Sequence, residues 1–317
     1  MTVGGQRVLV TGASGLIGSA LLRRLARVPD LIPVAAIHHR LLPESAMIPS
    51  VSVGSVGAST DWREALRGVA TVVHLAARVH VMRERHPNPL EEFRRVNRHG
   101  SAALARACVK NGVRRLIFVS SVKANGDSSL PGRPLRPLDE LRPSDHYGIS
   151  KAEAEADLQE ISITSGLELL IVRPTVVIGR GAVGNIRALV RAVNLGIPLP
   201  FGSVENRRSV VSLDNLTGLL ERCVTLSSAV RGTHFAADAE ACSTADLVGM
   251  VARALRRRDP TVSCPAWAVS GALRLFGGSD LRRRLLGSLE VSIDSSREAL
   301  GWVPEITTEE GILRAVG

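Results

Sequence analysis

Through its first half the chain alternates short, nearly unbroken apolar runs with longer stretches of helical periodicity. The runs "RVLVTG" (7–12), "PVAAIHH" (33–39), "TVVHLAA" (71–77), "RLIFVSS" (115–121) and "ELLIVRP" (168–174) are rich in Val, Ile and Leu. That continuity suits strands buried on both faces of a parallel sheet. Between them, residues 18–27, 61–67, 89–111 and 148–164 read as helices. Strand–helix alternation predicts an α/β fold built on a doubly wound parallel sheet. No internal repeat or low-complexity segment interrupts it.

After "RPTVVIGRG" the rhythm changes. Residues 182–195 read as a helix, 207–216 as a short strand entering a helix, and 265–290 as helices with loops. The expected organisation is a dinucleotide-binding domain over 1–173 and a smaller, mainly substrate-binding C-terminal lobe over 174–317. One strand near 232–238 is expected to return to the main sheet.

Composition narrows the class. The chain has 317 residues, 45% hydrophobic and 22% charged, which fits a globular protein with a sizeable core. Its four cysteines (Cys108, Cys223, Cys242, Cys264) are widely spaced, which suits a reducing compartment and no metal site. The start "MTVGGQRVLVTG" does not read as a signal peptide, and no apolar run is long enough to span a bilayer. A cytoplasmic location is therefore expected. The formal charge of +10 comes from 40 basic and 30 acidic residues, with only 3% aromatics and no basic tail. Those features argue against nucleic-acid binding and favour anionic cofactors and substrates. The Arg triplets at 256–258 and 282–284 would also suit acidic lipid headgroups.

The first candidate site is "TGASGLIGSA" (11–20), where Gly12, Gly15 and Gly18 follow the first strand and open a helix. Glycines there permit a tight turn and let backbone N–H groups approach a pyrophosphate at the positive helix end. Cofactor choice depends on the tip of the second strand. An acid there would hold the ribose hydroxyl of NAD. The tip is instead His38, His39 and Arg40, and a guanidinium suits a 2′-phosphate. NADP(H) is thus the expected cofactor, with NAD as the alternative.

The second candidate site is a trio. Ser121 closes a strand, and 26 residues on, Tyr147 (the only tyrosine) precedes Lys151 by four positions. That spacing puts phenol and ammonium on one helical face. A nearby ammonium is expected to lower the tyrosine pKa from its usual value of about 10. Tyr147 would then exchange a proton with a carbonyl or alcohol oxygen that Ser121 also hydrogen-bonds.

The combination of "TGASGLIG", "HLAA" (74–77), "VSS" (119–121) and "YGISK" (147–151) resembles the extended short-chain dehydrogenase/reductases. Within them it resembles the NAD(P)-dependent nucleotide-sugar epimerase/dehydratase group. The likeness runs along almost the whole chain to "SIDSSREALGWVPEITTEEGI" (292–312). It implies a Rossmann core with a C-terminal substrate lobe and a catalytic trio of Ser121, Tyr147 and Lys151. It implies cofactor contacts from Gly12, Ser14, Gly15, Leu16, Ile17, Gly18, His39, Arg40, Leu75, Ala76, Ala77, Asn97, Tyr147 and Lys151. Ser121, Asn185, Arg207 and Arg284 would meet the substrate, the last three its diphosphate. A twofold dimer through helices 89–111 and 148–164 is also implied.

Departures from the group refine the activity. Its sugar 4,6-dehydratases carry an Asp-Glu pair just after the catalytic Ser/Thr; here Val122 and Lys123 stand there, so dehydration is not expected. Ser55 replaces an adenine-contacting acid after the third strand. The missing acid at 38–40 speaks against a retained NAD. The leading expectation is an oxidoreductase that reduces a UDP-4-keto-6-deoxy sugar in surface-polysaccharide synthesis. The alternatives are a UDP-hexose or UDP-N-acetylhexosamine 4-epimerase and, outside enzymes, a non-catalytic NADP-binding regulator.

Overall fold

A computed structural model of the chain describes residues 5–38, 47–79, 86–130, 132–182, 185–265, 267, 269–270, 282–283 and 285–316. Seven strands form one sheet: β1 (Gln6–Thr11), β2 (Leu31–Ile37), β3 (Ser50–Ser52), β4 (Val69–His74), β5 (Arg115–Val119), β6 (Glu168–Pro174) and β9 (Gly232–Ala236). Their order is β3-β2-β1-β4-β5-β6-β9, and every neighbouring pair is parallel. Two further strands, β7 (Val176–Ile178) and β8 (Val210–Ser212), pair separately. The strand order reverses between β1 and β4, and in such sheets ligands bind beyond the carboxyl ends of the strands at that point.

Both faces of the sheet are covered, which explains the unbroken apolar runs. Val8 and Val10 point into one core with Leu21, Leu22 and Leu25 of α1 (Leu16–Leu25) and Leu216, Leu219 and Leu220 of α6 (Leu213–Thr225). Leu9, between them, points into the opposite core with Leu104 and Cys108 of α3 (Ser101–Lys110) and Leu158 of α4 (His146–Ser165). This is the two-residue period of a strand buried on both sides. A third core gathers Val193 of α5 (Asn185–Asn194), Val248 and Val251 of α7 (Thr244–Ala254), and Ile312. Helices α8 (Asp294–Leu300) and α9 (Thr308–Val316) complete the described C-terminal part.

Two expected helices differ. Where a helix over 61–67 is expected, residues 63–67 form turns, with Trp62, Ala65 and Leu66 buried. Gly68 at φ +67° then ends the segment, and β4 begins at Val69, so there is no room for a second turn. The stretch 89–111 is α2 (Pro89–Arg94), a π-helical segment (Arg95–Gly100) and α3. The extra residue in a π turn re-aims side chains, and here Asn97 and Ser101 are both buried. Much of the expected helical region 265–290 lies outside the described residues. Among the described residues, no helix is long and apolar enough to cross a membrane.

Candidate active site

The glycine loop joins β1 to α1 at the sheet's switch point. Gly12 has φ +65°, and a Cβ there would lie 2.8 Å from the Ala76 nitrogen. At Gly18 a Cβ would lie 2.2 Å from the Gly12 carbonyl oxygen, so α1 can approach the loop only without a side chain there. Gly15 is the N-cap of α1 and offers no side-chain cap, and the first turn carries no acid. The helix therefore presents uncapped N–H groups and its positive end, with Ser14 and Gly15 exposed and Leu16 and Ile17 half-buried. Such an end fits a pyrophosphate, and the chain offers a cradle for a dinucleotide.

The neighbouring loop after β4 is held by a buried chain of hydrogen bonds. The Ser101 hydroxyl donates to the Asn97 carbonyl (2.6 Å), so its oxygen is left to accept from His74 Nε2 (2.9 Å). His74 Nδ1 must then accept from the Thr11 hydroxyl (2.7 Å), whose oxygen accepts from the Leu75 and Ala76 N–H groups (3.2 and 3.1 Å). Burial, helped by the nearby Lys151 charge, pushes the His74 pKa down to about 3 and keeps the ring neutral. Leu75 and Ala76 are thus fixed against the glycine loop. Asn97 stands one step behind them. Its side-chain oxygen accepts from Arg78 N–H (2.8 Å), and its amide donates to the Arg78 carbonyl (3.1 Å) and Ser150 Oγ (2.9 Å).

At the carboxyl end of β5 the trio comes together. Ser121 follows the strand as N-cap of a single 3₁₀ turn (Val122–Ala124), with Oγ accepting from Lys123 N–H at 3.2 Å. Asp145 caps α4 by accepting from Gly148 N–H at 2.7 Å, which places Tyr147 in the first turn. Ser121 lies close enough to the half-buried Tyr147 phenol to act on its ionisation, and Phe93 meets the phenol ring edge-on at 6.3 Å. One turn on, the buried Lys151 donates to the Val119 carbonyl (2.7 Å) and lies over the Phe118 ring (3.9 Å).

The titration order differs from the sequence expectation. Burial pushes the Tyr147 pKa up to about 12; the Ser121 hydroxyl opposes the rise and the Asp145 carboxylate adds to it. Burial likewise pulls Lys151 down to about 7, against the attraction of Glu155. Helical spacing does set phenol and ammonium on one face. It does not make the ammonium lower the phenol pKa, because desolvation dominates both groups and Lys151 is turned to Val119 and Phe118.

The expected substrate and cofactor-tip residues are less uniformly placed. Arg207 forms a two-pronged pair with Glu290, with N···O distances of 3.0–3.2 Å. Arg208, the next residue, is half-buried and donates to the Gly287 carbonyl (2.7 Å). Asn185 opens α5, and its side chain lies outside what is described. Arg284, His39 and Arg40 also lie outside the described residues. At the tip of β2, His38 Nε2 meets Ser55 Oγ at 2.9 Å. Where dehydratases carry Asp-Glu, Val122 is buried and the Lys123 ammonium contacts Asp127 and Asp145.

The family description "NAD dependent epimerase/dehydratase family" matches residues 8–227, most of the chain and all of the site built from β1, β4, β5 and α4. The chain belongs to this family. The family member "UDP-glucose 4-epimerase" of Vibrio cholerae is 39% identical over 305 residues, covering 96% of this chain and 92% of that protein. An N-acetyl-alpha-D-glucosaminyl-diphospho-ditrans,octacis-undecaprenol 4-epimerase of Escherichia coli O157:H7 is 28% identical over 260 residues, 81% of this chain and 75% of that one. The fold is shared with the UDP-glucuronic acid 4-epimerase of Bacillus cereus, solved in complex with NAD. The TM-score is 0.78 at 16% identity, over 98% of this chain and 97% of that one. The resemblance read from the motifs is therefore membership, and the Rossmann-type fold it implied is the fold observed.

The sequence did not point to Thr11, His74 and Ser101 as the brace of the loop after β4. The signal was the histidine of "HLAA", an odd polar residue at the end of a buried strand. It also passed over the Asp145 cap, legible as an acid three residues before Gly148.

Proposed function

We propose that this family member is an NAD-dependent 4-epimerase of a UDP-linked hexose or N-acetylhexosamine. The observation that carries the reading is the convergence of Ser121, Tyr147 and Lys151 at the carboxyl edge of the sheet, next to the glycine cradle. The choice of epimerisation rests on the Vibrio cholerae relative, which matches over nearly the full length of both chains. The reduction of a 4-keto sugar would use the same trio but is not specifically supported by the relatives described above. The cofactor reading follows the family description and the NAD in the Bacillus cereus structure. Neither supports the expected preference for NADP(H), which rested on Arg40.

Gly12, Gly15 and Gly18 would hold the pyrophosphate, the braced Leu75–Ala77 loop would line the cleft, and Lys151 would reach the nicotinamide ribose. NAD supplies reversible hydride exchange at C4. The chain supplies the proton chemistry. Tyr147 takes the C4 hydroxyl proton and later returns it to the ketone oxygen. Ser121 donates a hydrogen bond to the same oxygen, and Lys151, anchored on the Val119 carbonyl, holds the cofactor ribose beside it. The lobe built mainly from 174–317 would anchor the diphosphate through Asn185, Arg207 and Arg284 while the sugar turns. A cytoplasmic, twofold dimer completes the reading, with the outer surfaces of α2–α3 and α4 facing a second copy.

Two results would support this assignment: NAD released from the denatured protein, and no consumption of added NADPH with a UDP-4-keto-6-deoxy sugar. Stoichiometric loss of NADPH absorbance with that sugar would replace it with the reductase.

A further inference from the structure

We propose that Lys123 is a positioning residue that clamps the Ser121 turn to the start of the Tyr147 helix and screens the phenol from the Asp145 carboxylate. The proposal rests on the assignment of Tyr147 as the proton-exchanging group. Four contacts through one residue make the clamp. The Lys123 N–H donates to Ser121 Oγ (3.2 Å). Its ammonium donates to Asp145 Oδ2 (2.7 Å), while Asp145 Oδ1 accepts from Gly148 N–H and caps α4. The same ammonium donates to Asp127 Oδ1 (2.6 Å), and the other Asp127 oxygen accepts from Ser144. Finally, the Lys123 carbonyl packs on Gly148 so closely that a Cβ there would lie 2.5 Å away. The turn that carries Ser121 and the helix turn that carries Tyr147 therefore cannot separate without breaking a half-buried ion pair.

The electrostatic consequence follows from the same geometry. Asp145 sits two residues before Tyr147 and disfavours its phenolate. Lys123 places a positive charge directly on that carboxylate. Burial works against the ammonium, but its two carboxylate partners hold its pKa above the ordinary lysine value. The other charged groups facing the phenol's surroundings are Lys151 and Glu155 on its own helix, Asp127 on the turn with Arg283 facing it, and Arg78 over the Phe93 ring. Among them, Lys123 and Asp145 bridge the two elements that carry Ser121 and Tyr147.

Because Tyr147 is the only tyrosine, fluorotyrosine incorporated in its place reports this one phenol by fluorine NMR. The midpoint is read in the cofactor-free protein, without substrate, so the result is separable from the epimerase assignment. A Lys123 effect with no sugar turnover would keep the clamp and reject that activity. Lys123→Met should raise the midpoint by on the order of 0.5–1 pH unit, because Asp145 loses its partner. Lys123→Arg should hold it near wild type, and Lys123→Met with Asp145→Asn should bring it back, since Asn preserves the helix cap. If Lys123→Met does not fold, Asp145→Asn alone carries the test and must lower the midpoint. Equal midpoints in wild type and Lys123→Met, an equal rise in Lys123→Arg, or no return in the double variant would overturn the proposal.

Discussion

Lys151 Nζ donates to the carbonyl oxygen of Val119 at 2.7 Å, tying the second turn of α4 to the last residue of β5. The bond fixes an ammonium beneath the site, at the cost of burying it. The unfolded chain holds this proton to about 10.5, and the folded protein only to about 7. Between those values the unfolded state binds more protons, so wild-type stability rises with pH across that window. Lys151→Met removes the buried charge. It should be the more stable protein near pH 7, by on the order of 1–3 kcal/mol in the absence of cofactor, and lose that advantage toward pH 10. Urea unfolding at both pH values checks it.

Tyr147 should remain protonated well above the range of a free tyrosine. With its pKa raised from 10.0 to about 12, phenolate absorbance should appear in the folded, cofactor-free protein only beyond pH 11. The unfolded tyrosine ionises first, so this group withdraws stability as pH rises from 10 to 12. Ser121→Ala removes the hydroxyl that opposes the rise and should move the midpoint higher. A wild-type midpoint at or below 10 would contradict the desolvated phenol.

Gly18→Ala should cost cofactor affinity more than stability. Its Cβ would meet the Gly12 carbonyl and force α1 away from the loop. Displacing the helix N-terminus would weaken the proposed pyrophosphate site, so the NAD dissociation constant should rise at least roughly tenfold, or about 1.4 kcal/mol. Calorimetric titration with NAD measures it.

Assembly offers a separate check. Arg94 and Arg98 pair with Glu153 and Asp157 across the α2–α4 surface, joining the two helices proposed to face a second copy. Sedimentation at micromolar concentration should show a particle of twice the 33.8 kDa chain mass. A lone chain at all concentrations would remove the dimer from the reading.

Much of this architecture was legible because the physics is local. Strands buried on both faces must be apolar throughout, so β1, β4, β5 and β6 announced themselves. The glycines of the first turn are sterically required, and the Tyr147–Lys151 spacing needs only a helix. What was not legible depends on burial and on three-dimensional neighbours. The π turn at 95–100 changes no residue type, and the hydrogen-bond chain from Thr11 through His74 to Ser101 joins three distant elements. The Tyr147 pKa is not legible for the same reason: spacing reveals the neighbouring charge, whereas desolvation is set by everything else packed around it.

Tyr147 is proposed to exchange the C4 proton of a UDP-sugar that is epimerised without net redox change. The most direct measurement is the interconversion of UDP-glucose and UDP-galactose, and of their N-acetyl forms, by purified protein without added reductant. Wild type should bring one pair to equilibrium with no accumulation of reduced cofactor. Tyr147→Phe should slow that conversion by on the order of a hundredfold or more, since it deletes the proposed general acid–base. No interconversion of either pair, or an undiminished rate in Tyr147→Phe, would contradict it.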